Sequence, residues 1–322
     1  MFSGSGGMDL GLEGGFDVLR RSVNEGLCRD WIIQDLGGGW ARLPPTGFET
    51  TFADDIVEEA KRQWVGYFSK RGRSEADYRI ESIVDLVKGH RNGSFVFPKA
   101  DVVTGGFPCT DFSLSGKRSG FNSSVGHDGQ EMELDSPSIE SRGMLYYWMR
   151  EVISIVHPMA FVAENVDGMN SLPEVKQAIH RDFSEVGYRV VNFTLFAPDY
   201  GVPQTRKRIL FVGFREGIEW GDFSRPPPPT HVPKDSAYGS PLFDVGHRPY
   251  VTCREAFAGL AEPEDSEDPS QRALSGARYY GRAKNGNPMQ GQNEVVLDAP
   301  GPTIRAEPHG NIEFRRLSAE HG

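Results

Sequence analysis

Hydrophobic and polar positions form two kinds of segment along the chain up to about Arg215. Short runs of β-branched and aromatic residues predict strands, and longer segments with apolar residues at helical spacing predict helices. Strands are predicted at Phe16–Val23, Ala100–Thr104, Met159–Ala163, Arg189–Leu195 and Ile209–Phe214. Helices are predicted at Ile56–Ser69, Glu75–Val87, Met144–His157 and Val175–Val186. This alternation is typical of an α/β fold, in which helices cover a mainly parallel sheet.

The alternation ends after Arg215, where the composition changes. The four prolines at 226–229 cannot continue a helix or a central strand. From there to about Pro300 the sequence is rich in Gly, Pro and polar residues and has no clear period. We therefore predict a domain at residues 1–220 and a smaller, irregular region at 221–322.

The composition is that of an ordinary globular protein, with 322 residues, 38% hydrophobic and 25% charged. No apolar run approaches the length of a membrane span, and we expect no membrane contact and a cytoplasmic, nucleoid-associated protein. The cysteines Cys28, Cys109 and Cys253 are widely spaced and lack metal-ligand pairing, so neither a disulfide framework nor a bound metal is expected. The formal net charge of −10 leaves a nucleic-acid partner open, because basic residues cluster locally.

One cysteine stands at a position suited to catalysis. Cys109 closes the segment Gly106-Phe107-Pro108-Cys109, which follows the apolar pair Val102-Val103. The carboxyl end of a strand is where α/β proteins bind ligands, and a thiolate is a strong nucleophile. Taken alone, Cys109 is also explained as a small buried apolar side chain.

A glycine-rich loop, Phe2–Leu10, precedes the predicted strand Phe16–Val23 and the acid Glu25. Glycines let the backbone approach a ligand closely, and an acid after the second strand can accept hydrogen bonds from ribose hydroxyls. The third glycine of G-x-G-x-x-G is missing after Gly4 and Gly6, which disfavours a dehydrogenase and favours a nucleoside ligand without phosphates. A plain tight turn is the alternative explanation.

Several segments, in order, resemble the DNA (cytosine-5) methyltransferases that use S-adenosylmethionine. The matching blocks are Phe2–Gly7, Glu25, Asp55-Ile56, Gly106–Cys109, Glu164-Asn165-Val166, Gln204–Arg208, and the segment from Pro302-Thr303-Ile304 to Arg315-Arg316-Leu317-Ser318. The resemblance implies a Rossmann-like doubly wound sheet with a smaller target-recognition domain. It also implies that residues from about Ser224 to Pro300 read the bases.

The resemblance assigns chemical roles to four residues. Cys109 would be the nucleophile that adds to carbon 6 of cytosine, and Glu164 the carboxyl group against N3 and the exocyclic amine. Arg208 would contact O2 of the base, and Arg206 would shape the pocket. Because side chains at i and i+2 of a strand share a face, Arg206 and Arg208 are expected to point together and Lys207 away.

The resemblance also implies the binding residues. Those expected to contact S-adenosylmethionine are Phe2, Ser3, Gly4, Gly7, Glu25, Asp55, Ile56, Pro108 and Leu145. Those expected to contact DNA are Ser113, Ser115, Lys117 and Gln204. The chain departs from the family pattern at Gly26, where a large apolar residue often covers the adenine, and at Thr110, where Gln is common.

Together these features predict methyl transfer from S-adenosylmethionine to carbon 5 of a flipped-out cytosine in double-stranded DNA. The expected setting is bacterial or phage restriction-modification or epigenetic methylation, by a monomer that has a cognate restriction endonuclease as its genetic partner. Two alternatives remain: a non-catalytic DNA-binding remnant and an RNA cytosine methyltransferase. The little sequence before Phe2 and the end at Gly322 also predict a chain truncated at both ends relative to the family.

Overall fold

The computed structural model of the protein describes residues 1–108, 144–219, 221, 225–234, 246–258 and 296–303. The helices of these segments are Gly7–Glu13 (α1), Glu58–Phe68 (α2), Ile83–Asn92 (α3), Leu145–Val156 (α4), Pro173–Ser184 (α5) and Cys253–Phe257 (α6). The strands are Asp17–Leu19 (β1), Gln34–Gly37 (β2), Trp40–Arg42 (β3), Ala53–Asp55 (β4), Tyr78–Ile80 (β5), Val102–Gly105 (β6), Ala160–Val166 (β7), Tyr188–Phe196 (β8), Lys207–Arg215 (β9), His231–Val232 (β10) and Arg248–Pro249 (β11).

The chain divides into two compact units, each built from separate stretches of sequence. The first unit combines Met1–Gly15, Pro45–Leu195 and Lys207–Pro227. The second unit combines Phe16–Pro44, Phe196–Arg206 and Pro228–Gly322. The stretch Phe16–Pro44, which the sequence analysis placed in the first domain, is therefore grouped with residues from the later part of the chain.

The first unit contains helices and mainly parallel strands, which confirms the predicted α/β class. Four strands form one sheet in the order β6-β7-β9-β8, in which β6 and β7 are parallel and β9 runs antiparallel to β7. Strands β4 and β5 form a separate parallel pair. Most of these strands carry apolar residues because parallel strands are covered by helices on both faces.

The hydrophobic core of the first unit lies between the four-stranded sheet and its helices. Along α4 the residues Leu145, Trp148, Met149, Val152 and Ile153 are all buried. They recur at the spacing of one helical face, as the sequence analysis predicted for this segment. No helix within the described segments is both long and apolar enough to cross a membrane.

The predicted helix Glu75–Val87 was wrong in its first half. Ser74 instead caps a short 3-10 turn by accepting a hydrogen bond from the Ala76 amide, and β5 follows at Tyr78–Ile80. The helix α3 begins only after Ser82, whose hydroxyl oxygen accepts from the Val84 amide. Serine side chains compete for backbone hydrogen bonds in this way, which is why they favour helix starts over helix interiors.

The predicted strand Phe16–Val23 was also wrong in its length and its partners. Only Asp17–Leu19 is a strand, and it pairs antiparallel with β3 in a three-stranded sheet of the second unit. The parallel strand beside the glycine loop is β4, which the sequence analysis did not predict. Two of its three residues are aspartates, which are depleted in strands, so the residues of the strand itself have little β propensity.

Candidate active site

The carboxyl end of β6 is held against the carboxyl end of β7. Asn165 donates a side-chain hydrogen bond of 3.2 Å to the Phe107 carbonyl oxygen, and both groups are buried. A methyl group on Gly106 would lie only 3.2 Å from Oε2 of Glu164, so the glycine lets the backbone approach this carboxylate. The backbone at Gly106, shortly before the half-buried Pro108, is thus positioned beside Glu164.

Glu164 and Arg208 form an ion pair across neighbouring strands. Nε of Arg208 lies 2.6 Å from Oε1 of Glu164, and the two side chains are 22% and 24% exposed. Arg208 stands opposite Val166 in the antiparallel register of β7 and β9. Because Glu164 and Val166 share a strand face, Arg208 and Glu164 are diagonal neighbours on that face. The sheet therefore presents a carboxylate and a guanidinium together, with part of each open to solvent.

The residues next to Arg208 have different surroundings. Nζ of Lys207 lies 3.3 Å from Oδ2 of Asp167 and the lysine side chain is 53% exposed. Arg206 and Gln204 belong to the second unit, where the Arg206 amide donates to the Gln204 carbonyl oxygen at 2.7 Å. Strand β9 begins at Lys207. The strand argument for a face shared by Arg206 and Arg208 does not extend to Arg206, so their shared orientation stays a prediction.

The glycine-rich loop is fixed to the carboxyl end of β4. The Ser3 amide donates to the Asp54 carbonyl oxygen at 2.8 Å, and the Gly4 amide donates to Oδ2 of Asp55 at 3.0 Å. The Tyr78 hydroxyl donates to the Gly4 carbonyl oxygen at 3.0 Å. A side chain on Gly4 or Gly7 would meet no atom within 4 Å, so open space adjoins this backbone. The loop can therefore accept a ligand at close range.

The acid at the carboxyl end of the parallel strand next to this loop is Asp55. Its second oxygen, Oδ1, accepts from the Val57 amide at 3.1 Å, and the neighbouring Ile56 side chain is 46% exposed. Asp55 is thus an acid followed directly by an exposed apolar residue. The resemblance led us to expect this pairing at Glu25, but the residue after Glu25 is Gly26. The run Thr50-Thr51-Phe52-Ala53, directly before Asp54 and Asp55, was the available signal for this strand.

Glu25 lies in the second unit and is engaged by arginines. Arg20 donates to its two carboxylate oxygens at 3.0 and 2.8 Å, and Arg248 lies 3.7 Å away. The hydrogen bonds from Arg20 hold the pKa of Glu25 below its usual value. The premise that Glu25 follows a strand of the parallel sheet is wrong, because β1 belongs to the antiparallel sheet of the second unit.

Some of the remaining predicted site residues lie within the described segments, and others lie outside them. Leu145 is 4% exposed and belongs to the hydrophobic core, and Phe2 adopts a left-handed backbone with φ of 51°. Four predicted residues lie outside the described residues, namely Cys109, Ser113, Ser115 and Lys117. Within the described segments no group of three or more His, Cys, Asp or Glu side chains is arranged to hold a metal ion.

Several known proteins are similar to this chain in sequence or in structure. The chain is 32% identical over 263 residues to the type II methyltransferase M.BspRI of Lysinibacillus sphaericus, a match that covers 81% of this chain and 51% of that protein. It is 30% identical over 263 residues to M.BsuRI of Bacillus subtilis, covering 81% and 50%. The chain thus spans about half the length of these relatives. A solved mutant form of DNMT2 from Spodoptera frugiperda superimposes with a TM-score of 0.41 at 17% identity, over 73% of this chain and 54% of that one.

A family model also matches the chain over most of its length. The model is that of the C-5 cytosine-specific DNA methylases, and it matches residues 32–279, which is more than half of the chain. The match includes both Glu164 and Arg208 and the segment that contains Cys109. The chain belongs to the C-5 cytosine-specific DNA methylase family.

Proposed function

We propose that this chain transfers a methyl group from S-adenosylmethionine to carbon 5 of a cytosine in double-stranded DNA. Membership of the methylase family supports the reaction class. The single observation that carries the proposal is the ion pair of Glu164 and Arg208 beside the backbone that leads to Cys109. An acid and a cation in one place suit a base whose N3 and O2 gain negative charge.

The chemistry begins with the thiolate of Cys109, which adds to carbon 6 of the ring. The electron pair of the carbon 5–carbon 6 bond then makes carbon 5 nucleophilic, with charge spread toward N3 and O2. Bound S-adenosylmethionine would supply an electrophilic methyl group and leave as S-adenosylhomocysteine. Loss of the proton from carbon 5 then expels the thiolate of Cys109 and restores the aromatic ring.

Glu164 and Arg208 would bind the base through different atoms. The carboxyl group of Glu164 would hydrogen-bond N3 and the exocyclic amine, and the guanidinium of Arg208 would donate to O2. In the absence of a base each group is the counterion of the other, so the pair is held in position before the base arrives. Arg206 would shape the same pocket.

The cytosine must leave the duplex before the thiol can reach it. We assign to Ser113, Ser115 and Lys117 the closing of the loop over the displaced base, and to Gln204 a contact with the DNA. Small polar side chains suit the gap left in the duplex, and a lysine can hold a phosphate. The relatives are named type II methyltransferases, which supports a role in restriction-modification. We further propose that the chain acts as a monomer with a restriction endonuclease as its genetic partner.

The glycine loop would bind S-adenosylmethionine. Phe2, Ser3, Gly4 and Gly7 would line its methionine and sugar end, where the structure leaves space beside Gly4 and Gly7. We assign the ribose contact to Asp55 in preference to Glu25, because Asp55 contacts the loop and Glu25 is held by Arg20. Ile56 would cover the adenine, with Pro108 and Leu145 nearby.

The direct test is transfer of a labelled methyl group from S-adenosylmethionine to defined substrates. Duplex DNA of random sequence should gain 5-methylcytosine, detected by mass spectrometry of the digested nucleosides. RNA of the same sequence tests the RNA alternative in parallel, and a catalytically dead chain with Cys109→Ser is the control. DNA binding without methyl transfer, or transfer to RNA alone, would contradict the proposal.

A further inference from the structure

The corner of the sheet where β7 ends and β9 begins carries a second ion pair, next to that of Glu164 and Arg208. Nζ of Lys207 lies 3.3 Å from Oδ2 of Asp167, the residue directly after β7. In the antiparallel register Val166 stands opposite Arg208, and the next pair along this register is Asp167 with Lys207. Because successive residues of a strand point to opposite faces, the second pair lies on the other face of the sheet from the first.

The carboxylate of Asp167 is held in place by groups other than the lysine. Nδ2 of Asn170 donates to Oδ1 of Asp167 at 2.8 Å and to Oγ1 of Thr194 in β8 at 2.9 Å. A short 3-10 helix, Asp167–Ser171, carries both the acid and the amide. The position of the carboxylate therefore has support that does not depend on Lys207.

The ammonium group of Lys207 has donors that the described structure does not use. Within the described residues its one polar partner is Asp167, and an ammonium group can donate three hydrogen bonds. More than half of the lysine side chain is exposed, and so exposed an ion pair contributes little to stability because water screens the attraction. An anion that arrives from solvent can therefore take the place of the carboxylate without disturbing the fold.

We propose that Lys207 binds a phosphate of the DNA strand whose cytosine occupies the site, and that this phosphate replaces Asp167 as its partner. The inference rests on the proposed function, in which Arg208 contacts O2 of the base. Consecutive Cα atoms are about 3.8 Å apart, so the lysine side chain begins next to the residue that contacts the base. A long side chain with a compact charge suits contact with backbone phosphates. The two faces of one strand would then divide the nucleotide, with the base at Arg208 and the phosphate at Lys207.

Asp167 gives this exchange a sign that can be measured. In the free chain its carboxylate competes with phosphate for the ammonium group, and beside bound DNA it repels the phosphate. Removing that negative charge should strengthen DNA binding, whereas removing the lysine should weaken it. Asp167→Asn keeps a side-chain oxygen that can accept the hydrogen bond from Asn170, so the local fold is retained.

Titration of the full chain with a short fluorescein-labelled DNA duplex, at several salt concentrations and without cofactor, tests the inference. Each phosphate contact adds about 0.9 to the slope of log Kd against log salt concentration, because bound counterions are released. We expect Lys207→Ala to lower this slope by about 0.9 and to weaken binding about fivefold at low salt. Lys207→Arg should keep the slope of the parent, and Asp167→Asn should bind about threefold more tightly.

The matched control is Lys70→Ala, because Lys70 is an exposed lysine between the end of α2 and the start of β5. It should change neither the slope nor the affinity. An unchanged slope in Lys207→Ala, or binding by Asp167→Asn that is no tighter than that of the parent, would overturn the inference. DNA binding that depends on Lys207 but leads to no methyl transfer would refute the proposed function alone. Methyl transfer to DNA with an unchanged slope in Lys207→Ala would refute this inference alone.

Discussion

Nε of Arg208 lies 2.6 Å from Oε1 of Glu164, and the pair joins the antiparallel strands β7 and β9 at the end where Gly106 approaches the same carboxylate. Both groups are about a quarter exposed, so a ligand can reach them without unfolding the sheet. This arrangement places a carboxyl group and a guanidinium beside Gly106.

Replacing the acid of this pair tests its role in the reaction. We expect Glu164→Gln to lower kcat for methyl transfer about 100- to 1000-fold, the usual cost of removing one group that stabilises charge in a transition state. The matched control is Glu174→Gln, because Glu174 is an exposed residue of α5. A Glu164→Gln chain that keeps a rate within threefold of the parent would remove Glu164 from the mechanism.

Cofactor affinity distinguishes the two candidate acids. Asp55→Ala removes the acceptor of the Gly4 amide, so we expect S-adenosylmethionine to bind at least tenfold more weakly in calorimetry. Glu25→Gln removes a carboxylate that pairs with Arg20, and we expect less than a twofold change in cofactor affinity. The reverse order of the two effects would restore Glu25 as the ribose acid.

Gly6 and Gly11 provide a matched pair for testing the glycine loop. Gly6 has φ of +88°, and an added Cβ would lie 2.5 Å from Phe68 and 2.6 Å from Trp64. We expect Gly6→Ala to lower the free energy of unfolding by about 2 to 3 kcal/mol, from backbone strain and overlap. Gly11 lies in α1 and has open space around it, so Gly11→Ala should raise that free energy by up to about 1 kcal/mol. Urea denaturation measures both, and equal effects would contradict the packing argument.

The buried Asp54 makes stability depend on pH. Burial raises its pKa from the usual 3.8 to about 6, against the opposing effect of the Met1 ammonium at 3.9 Å. Between these values the native state holds a proton that the unfolded state has released, so the stability contributed by Asp54 falls as pH rises from about 4 to about 6. The Asp54→Asn chain lacks this titration.

The difference between Asp54→Asn and the parent isolates this effect. We expect the variant to gain stability relative to the parent as pH rises through the window, by at most about 1.4 kcal/mol per pH unit. Urea denaturation at several pH values from 4 to 7 measures the difference. A constant difference across the window would show that the carboxyl group titrates normally.

Sequence patterns located the parts of the fold that have strong periodicity. The buried face of α4 and the apolar strands β7 and β9 were predicted close to their observed bounds, because long apolar patterns leave few alternatives. Glu164 and Arg208 were also identified from the sequence, because their residue types and their order along the chain match the motifs of the family.

The parts that were missed depend on contacts between distant residues. Strand β4 has only three residues, and its stability comes from pairing with β5 and from the Ser3 hydrogen bonds, neither of which local propensity encodes. The short strands around Trp40 form a sheet by antiparallel pairing across turns that contain consecutive glycines. For these reasons Glu25 was wrongly expected to follow a strand of the parallel sheet.

The most direct measurement is covalent trapping of the chain by DNA that carries 5-fluorocytosine, in the presence of S-adenosylmethionine. The fluorine cannot leave as a cation, so the adduct formed after methyl transfer accumulates. The account predicts a mass equal to chain plus DNA plus one CH2 unit, because a methyl group is gained and the thiol proton is lost. It also predicts that peptide mapping locates the adduct at Cys109 and that Cys109→Ser forms none. A trapped adduct that survives the serine substitution, or that maps to another residue, would contradict the proposed chemistry.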